Sequence, residues 1–221
     1  MLKTYRIPII TLLSVLFVDQ FIKIFIKLNY PLGEVGRLGN WCIIHFTENP
    51  GMAFGMEFGG DYGKLILSVF RILASIGGFL YIRHIVRQKE STLFIFCVSL
   101  ILAGAIGNIL DSVFYGSIFT ESDEFMAAHL VAPGNGYSGF LHGHVVDMFY
   151  FPIYDGHFPD WFPFWGGEDF QFFRPIFNFA DFAISMGVGL LIVFQKRIQK
   201  KAVASIEETG EANQEPKTSE S

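Results

Sequence analysis

The chain is short of charge and almost without cysteine. Of its 221 residues, 17% are Asp, Glu, Lys or Arg, while 51% are hydrophobic, and the mean hydropathy is +0.40. A soluble domain rarely reaches that figure, whereas a small polytopic membrane protein does. The net charge is −5 and no basic stripe is present, so nothing marks a nucleic-acid surface. There are two cysteines, Cys42 in a loop and Cys97 inside an apolar run, which do not make a disulfide framework. Both read as packing residues. The first apolar run does not read as a cleavable leader either. The run 7–27 is long, carries Asp19 and Lys23, and has no small-x-small cleavage site, so it reads as a retained span.

What is present is four apolar runs, roughly 7–27, 64–84, 92–113 and 176–195. Each is long enough to cross a bilayer at about 20 residues. Lys3 and Arg6 precede the first run. Arg83, Arg87 and Lys89 join the second to the third, and Lys196, Arg197, Lys200 and Lys201 follow the fourth. The other two loops are poor in basic residues. The bias of Lys and Arg toward one side sets orientation: both termini are expected in the cytoplasm, with loops 28–63 and 114–175 outside. In the first loop Trp41 to Thr47 has β character and Asn49-Pro50-Gly51 is a turn signal, so a small strand-rich platform is expected on the outer surface. The second loop is too long to be structureless without a functional reason. Its half from Phe149 to Ile176 holds 12 aromatics among 28 residues, which suits an interfacial belt or an apolar wall around a lipid-bearing substrate. Residues 203–221 are polar and read as a disordered cytoplasmic tail. The expected architecture is therefore an all-α integral membrane domain, residues 1–202, with four spans, a small β platform and a long outer loop.

Charged groups inside spans are costly, so each needs a reason. At about 1.5 Å rise per residue, Asp19 lies roughly 18 Å and Lys23 roughly 24 Å above the inner end of the first run. Asn108 and Asp111 lie about 24–29 Å above the inner end of the third. Asp181 lies about 8 Å below the outer end of the fourth. Five polar groups from three spans thus share one level near the outer surface. Asp19 and Lys23 stand four residues apart and can pair. Asn178 and Asp181 repeat the three-residue spacing of Asn108 and Asp111, which on a helix puts both side chains on one face. Arg71, in the outer half of the second run, is the one further charge and a candidate partner for a site carboxylate. Asp147 lies in the aromatic loop between them.

Two carboxylates sharing one proton can hydrolyse a peptide. Like charges about 3 Å apart cannot both ionise, so one stays protonated near neutral pH. The ionised partner takes a proton from water and the protonated one polarises the carbonyl. Nearby Asn amides can hold substrate backbone or orient the acids. Asp111, Asp147 and Asp181 are all candidates for such a pair. The same acids would also serve a small membrane transporter or proton relay, and His142-x-His144-x-x-Asp147 has the look of a metal site. By periodicity alone the three readings stand nearly level. A transport path would need polar residues through the full depth of the bundle, and the inner halves of the runs are almost wholly apolar. Loop histidines, here His129, His142, His144 and His157, are more often solvated or hydrogen-bonded than metal ligands.

Five blocks, in order along the chain, carry a family resemblance: Asp19-Gln20-x-x-Lys23, Asn49-Pro50-Gly51-Met52-Ala53-Phe54-Gly55, Gly104-Ala105-Ile106-Gly107-Asn108-Ile109-Leu110-Asp111, Gly143-His144-Val145-Val146-Asp147-Met148 and Phe177-Asn178-Phe179-Ala180-Asp181. Together they resemble the bacterial lipoprotein signal peptidases, signal peptidase II. The resemblance spans residues 19 to 181. It implies that Asp147 and Asp181 are the catalytic pair of an aspartic endopeptidase. It implies that Asn49, Gly51, Asn108, Asp111 and Asn178 line or brace the site, with Asp19 and Lys23 as support. The implied substrates are prolipoproteins with a diacylglyceryl group on the lipobox cysteine, cut just before that cysteine at the outer leaflet of the bacterial inner membrane. Neither cofactor nor metal is implied, membrane lipid is the surrounding partner, and globomycin-type inhibition is expected.

The chain departs from the family pattern in two places. Ser112 stands where the family usually has an Arg after the third-helix Asp, and segments 113–142 and 149–176 are longer than the compact family core. Arg174, in the outer loop, is a candidate to supply the missing guanidinium. On that hypothesis Arg174→Ala lowers kcat in a lipidated-prolipoprotein cleavage assay, and an unchanged rate removes Arg174 from consideration.

Overall fold

The computed structural model describes residues 5–39, 41–50, 60–172 and 175–212. Gly51 and Arg174 lie outside the described residues. Four helices are long and apolar enough to cross a membrane, with spans Arg6–Asn29, Tyr62–Arg87, Thr92–Ile118 and Phe179–Ile198. Helix α1 (Arg6–Asn29) carries Pro8 in its first turn, where a proline removes no intrahelical bond. It ends where Tyr30 turns extended ahead of Pro31, because the residue before a proline avoids the helical region. Helix α2 (Gly60–Arg87) returns across the bilayer. Helix α3 (Thr92–Leu110) opens on Ser91, whose hydroxyl accepts from the Phe94 N–H at 3.2 Å, a capping bond that satisfies one orphan donor.

The helices are not equivalent. Half of the most apolar window of α3 is buried, against 11% for α2, so α3 is central and α2 peripheral. Close approach of α3 to the last helix, α5 (Phe179–Ala212), depends on small residues. A Cβ on Gly104 would strike the Ala180 carbonyl oxygen, and one on Gly187 would lie 2.7 Å from the Cys97 oxygen. Between bilayer helices, small residues allow backbone contact that larger side chains forbid. Cys42 and Cys97 are buried and unpaired. The large side chains left outside, among them Phe17, Phe21, Phe70 and Ile192, suit contact with lipid tails.

On one end of the bundle sits an antiparallel sheet of order β1-β2-β3-β6. The strands are β1 (Val35–Arg37), β2 (Ile43–Asn49), β3 (Val145–Tyr150) and β6 (Ile176–Phe177). The expected platform is therefore real, but it is built from both long loops. Val145 to Tyr150 reads as an aromatic loop in the sequence, yet it pairs with β2 along Asn49↔Val145 and Thr47↔Asp147. Its two-residue alternation explains the strand: Val146 and Met148 are fully buried with Phe46, Tyr115 and Phe119, while Asp147 points the other way. A register shift interrupts β2 between Ile44 and Thr47, the kind of bulge that re-aims a strand beside a site. Strands β4 (Tyr154–His157) and β5 (Asp169–Phe172) form a separate two-stranded ribbon whose turn exposes Trp161, Phe164 and Trp165.

The last span differs from the sequence reading at both ends. Ile176 and Phe177 belong to β6, so the fourth span begins at Phe179. The helix also runs on to Ala212, into the stretch read as a tail.

A buried ion pair bolts the sheet to the bundle. The Lys27 ammonium, fully buried at the end of α1, pairs with Glu48 of β2 and donates to Ser122 Oγ at 2.9 Å. It lies 5.4 and 5.0 Å from the ring centres of Phe119 and Tyr137, a cation–π arrangement. His144 Nδ1 sits 3.2 Å from the second Glu48 oxygen. Burial pushes the Glu48 carboxyl up, but the His144 hydrogen bond and the Lys27 charge outweigh it and hold the group below its usual range. Removing one partner of a buried pair strands the other, at about 3–5 kcal/mol. Lys27→Met is therefore expected to lower the unfolding midpoint in detergent markedly, and an unchanged midpoint counts against the bolt.

Candidate active site

Where α3 meets the sheet its last turn widens into a π-turn, Asp111–Tyr115, followed by one turn of α-helix, α4 (Gly116–Ile118). Such bulges cluster at functional sites. This one is locked by glycines. Gly143 donates its N–H to the Ser112 oxygen at 2.9 Å, and a Cβ there would collide with the Asp111 carbonyl. The loop that leads into β3 thus lies directly on the turn that carries Asp111.

Around this junction the five polar groups of the spans meet. The Lys23 ammonium lies 3.0 Å from Asp19 and 2.8 Å from Asp111, and all three side chains are fully buried. It also donates to Asn108 Oδ1 at 2.8 Å. The Asn108 amide nitrogen then donates to Asp181 Oδ1 at 2.7 Å. Gln20, quoted in the first motif but not singled out from the sequence, ties the cluster together. Its amide donates to Asp19, to the Gly107 carbonyl and to Asp111, while its oxygen accepts from the Tyr115 hydroxyl. Asp111 also accepts from the Val146 N–H of β3 at 3.3 Å.

The two Asn-x-x-Asp pairs prove different in kind. Asn108 and Asp111 share a helix face and both bind Lys23. Asn178 instead caps α5: its side-chain oxygen accepts from the Asp181 N–H at 3.0 Å, while Asp181 Oδ2 accepts from the Asn178 N–H at 3.4 Å. That reciprocal arrangement is a capping box. The same α5 terminus receives Asp19 Oδ1 on the Ala180 N–H at 2.8 Å, a charge that suits the positive end of a helix. Gly107 makes this reach possible, since a Cβ there would stand 2.7 Å from Asp19 Oδ2.

Asp147 arrives from the sheet. The Asn178 amide nitrogen donates to Asp147 Oδ1 at 2.7 Å, so one buried Asn links Asp147 to Asp181. Burial, then the Asp181 charge, push the Asp147 carboxyl up to about 7, against the Asn178 hydrogen bond that favours the ionised form. Arg71 of α2 lies within electrostatic reach of both Asp181 and Asp147. Asn49 ends β2 opposite Val145. A cleft of about 420 Å³ opens from Asp181 and Asn108 into the bundle, walled by Arg71, Ser75 and Ile184. A larger groove, about 510 Å³, runs past Tyr5, Leu12 and Val86 at the other end of α1. It is lined by no carboxylate and is remote from this chemistry.

The histidines do not converge with Asp147. His142 Nδ1 lies 2.9 Å from the Phe140 oxygen and His144 turns to Glu48. Among the described residues no three His, Cys, Asp or Glu groups are arranged to hold a metal ion. Ser112, in place of the family Arg, returns its hydroxyl to the Asn108 carbonyl at 3.1 Å. Sequence reasoning passed over Gln20, Lys27, Glu48 and Ser75. Only Lys27 left a signal, because it continues the four-residue spacing of Asp19 and Lys23.

Four apolar helices, a one-sided knot of buried carboxylates and a sheet that delivers one more acid define a small polytopic membrane protein with a polar site near one end of its bundle. The family model described as signal peptidase (SPase) II matches residues 11–196. The lipoprotein signal peptidase of Porphyromonas gingivalis is 54% identical over 184 residues, covering 82% of this chain and 79% of that one. The lipoprotein signal peptidase of Amoebophilus asiaticus is 35% identical over 211 residues, covering 94% and 84%. A solved bacterial membrane enzyme superposes with a TM-score of 0.53 at 22% identity, covering 84% of this chain and 90% of that one. The chain belongs to the signal peptidase II family of membrane peptidases.

Because Asn178 both caps α5 and holds Asp147, its loss has two readouts. Asn178→Ala is expected to cost about 1 kcal/mol of stability as a lost cap and, separately, to lower kcat. A variant that melts earlier but turns over normally would show that the Asn178–Asp147 bond has no catalytic importance.

Proposed function

We propose that the protein is an aspartic endopeptidase that removes the signal peptide from diacylglyceryl-modified prolipoproteins. The observation that carries this reading is the linkage of Asp147 to Asp181 through Asn178, with Asp147 pushed up to about 7. At neutral pH the pair then holds one proton between two carboxyls. The ionised carboxylate takes a proton from a water molecule, and the oxygen of that water attacks the scissile carbonyl carbon. The protonated carboxyl donates to the carbonyl oxygen as its negative charge develops. Collapse of the tetrahedral intermediate breaks the C–N bond, and the departing cysteine amine takes up a proton from the pair. No covalent intermediate and no metal enter these steps. The proton belongs to the coupled pair rather than to either residue.

Asn108 and Asn178 orient the two acids, and Asn49, at the end of β2, would meet substrate backbone. Asp19, Lys23 and Asp111 brace the site. Gly51 belongs to the same motif but lies outside the described residues. The distribution of Lys and Arg supports cytoplasmic termini and a site at the outer leaflet of the inner membrane, where a lipidated cysteine would sit. Membrane lipid surrounds the bundle, and globomycin-type inhibitors are expected to compete with the substrate at this site. The polar groups stop at one end of the bundle, which favours hydrolysis over transport.

The test is cleavage of a diacylglyceryl-modified prolipoprotein by purified protein in detergent, with and without EDTA. Wild type is expected to cut just before the modified cysteine whether or not chelator is present. Asp147→Asn and Asp181→Asn, which keep shape but remove the acid, are each expected to lose about 10²–10⁴-fold in kcat. As pH rises through about 7, the pair surrenders its shared proton, so the rate should fall on the alkaline side. If either variant keeps a near-normal rate, the pair is misassigned and Asp111 is the next candidate.

A further inference from the structure

Serines buried in a membrane helix ordinarily return their hydroxyl to the carbonyl four residues back. Among the described residues two do so: Ser99 Oγ lies 2.6 Å from the Ile95 oxygen and Ser112 Oγ 3.1 Å from the Asn108 oxygen. Ser68 instead reaches across to the Leu141 oxygen at 3.0 Å. Ser75 behaves differently. Its hydroxyl oxygen is buried and has no hydrogen-bond partner among the described residues. An unpaired buried hydroxyl costs free energy, the more so without water nearby, so each instance calls for an explanation.

Its position offers one. Ser75 lines the same cleft as Asp181, Asn108 and Arg71. It lies four residues beyond Arg71 on α2, hence on the same helix face and about 6 Å deeper in the bundle. Ala74, Gly78 and Ala105 also line this cleft, and side chains this small let a second backbone come close. A signal segment cut at the level of Asp147 and Asp181 must end its helix there. The last four carbonyls of a helix have no intrahelical partner. In an apolar cleft, an unpaired helix-end carbonyl and an unpaired hydroxyl each satisfy the other.

We infer that Ser75 is a substrate-binding residue whose hydroxyl donates to a main-chain carbonyl of the substrate's signal segment, about one helical turn below the bond that is cut. This rests on the peptidase reading and adds a recognition contact to it. The contact reads backbone rather than side chain, so it suits an enzyme whose substrates differ in the sequence of their membrane segment.

The experiment is steady-state cleavage of a full-length lipidated prolipoprotein by wild type, Ser75→Ala and Ser75→Thr, with thermal unfolding of each. Ser75→Ala is expected to raise KM about five- to tenfold, the value of one hydrogen bond, while kcat stays within about twofold and the unfolding midpoint does not fall. Ser75→Thr restores the hydroxyl and, with it, the wild-type KM. A second set of substrates carries a backbone ester at successive positions of the signal segment, which weakens one carbonyl acceptor at a time. One position should raise KM for wild type and have no further effect on Ser75→Ala. If Ser75→Ala matches wild type in KM, or if its midpoint drops and Thr does not rescue it, the inference is overturned. Asp147→Asn and Asp181→Asn run alongside separate the two failures. Inactive Asp variants beside an unaffected Ser75→Ala leave the peptidase standing and remove only this contact. A wild type that never cuts the lipidated substrate removes both.

Discussion

The structure turns on one ammonium group. Lys23 is fully buried, and taking a cation out of water costs several kcal/mol unless its protons are met by acceptors of opposite charge. Asp19, Asp111 and the Asn108 amide supply three acceptors within 3.0 Å. Each comes from a position that the low dielectric then prevents from drifting, because an unpaired charge in that environment is far costlier than one in solution. Asp111 anchors the end of α3 and touches β3. Asp19 caps α5. Asn108 passes the constraint to Asp181. Helices from three parts of the chain are thereby fixed at one level around one charge.

The acids assigned to catalysis sit at the edge of this knot rather than in its centre. Asp181 is the third residue of α5 and half of its capping box. Asp147 belongs to a strand whose other face is a packed apolar core. Groups that hold the fold together therefore also hold the two carboxyls proposed to react. Asn178 illustrates the economy: it caps a helix with its oxygen and fixes Asp147 with its nitrogen. Lys27 and Glu48 do for the sheet what Lys23 does for the helices, since their pairing ties β2 to the end of α1.

Close packing and openness divide between the helices. Glycine contacts press α3 against α5, which is why Asn108 can reach Asp181 directly. Helix α2 is much less buried and leaves a cleft beside the acids, with Arg71 at their level and Ser75 a turn deeper. The tight seam holds the acids in place, while the loose one leaves an open cleft beside them. The polar groups lie at one end, consistent with a reaction at a surface rather than a path through the bilayer.

Much of this was legible beforehand. Composition and run length reveal four spans, because a bilayer core demands about 20 apolar residues with internally satisfied backbones. Rise per residue places Asp19, Lys23, Asn108, Asp111 and Asp181 at one level, because helix geometry is nearly invariant. The Asp19–Lys23 pairing follows from their spacing, and the five motifs point to the family. Long-range partners were not legible. That Val145 to Tyr150 is a strand, that Asn178 holds Asp147, and that Lys27 meets Glu48 all depend on residues tens of positions apart. Spacing along a helix is a local property readable from sequence. Which donor faces which acceptor across the bundle is decided only when the chain closes, because burial leaves each polar group obliged to find whatever partner the tertiary fold brings within reach.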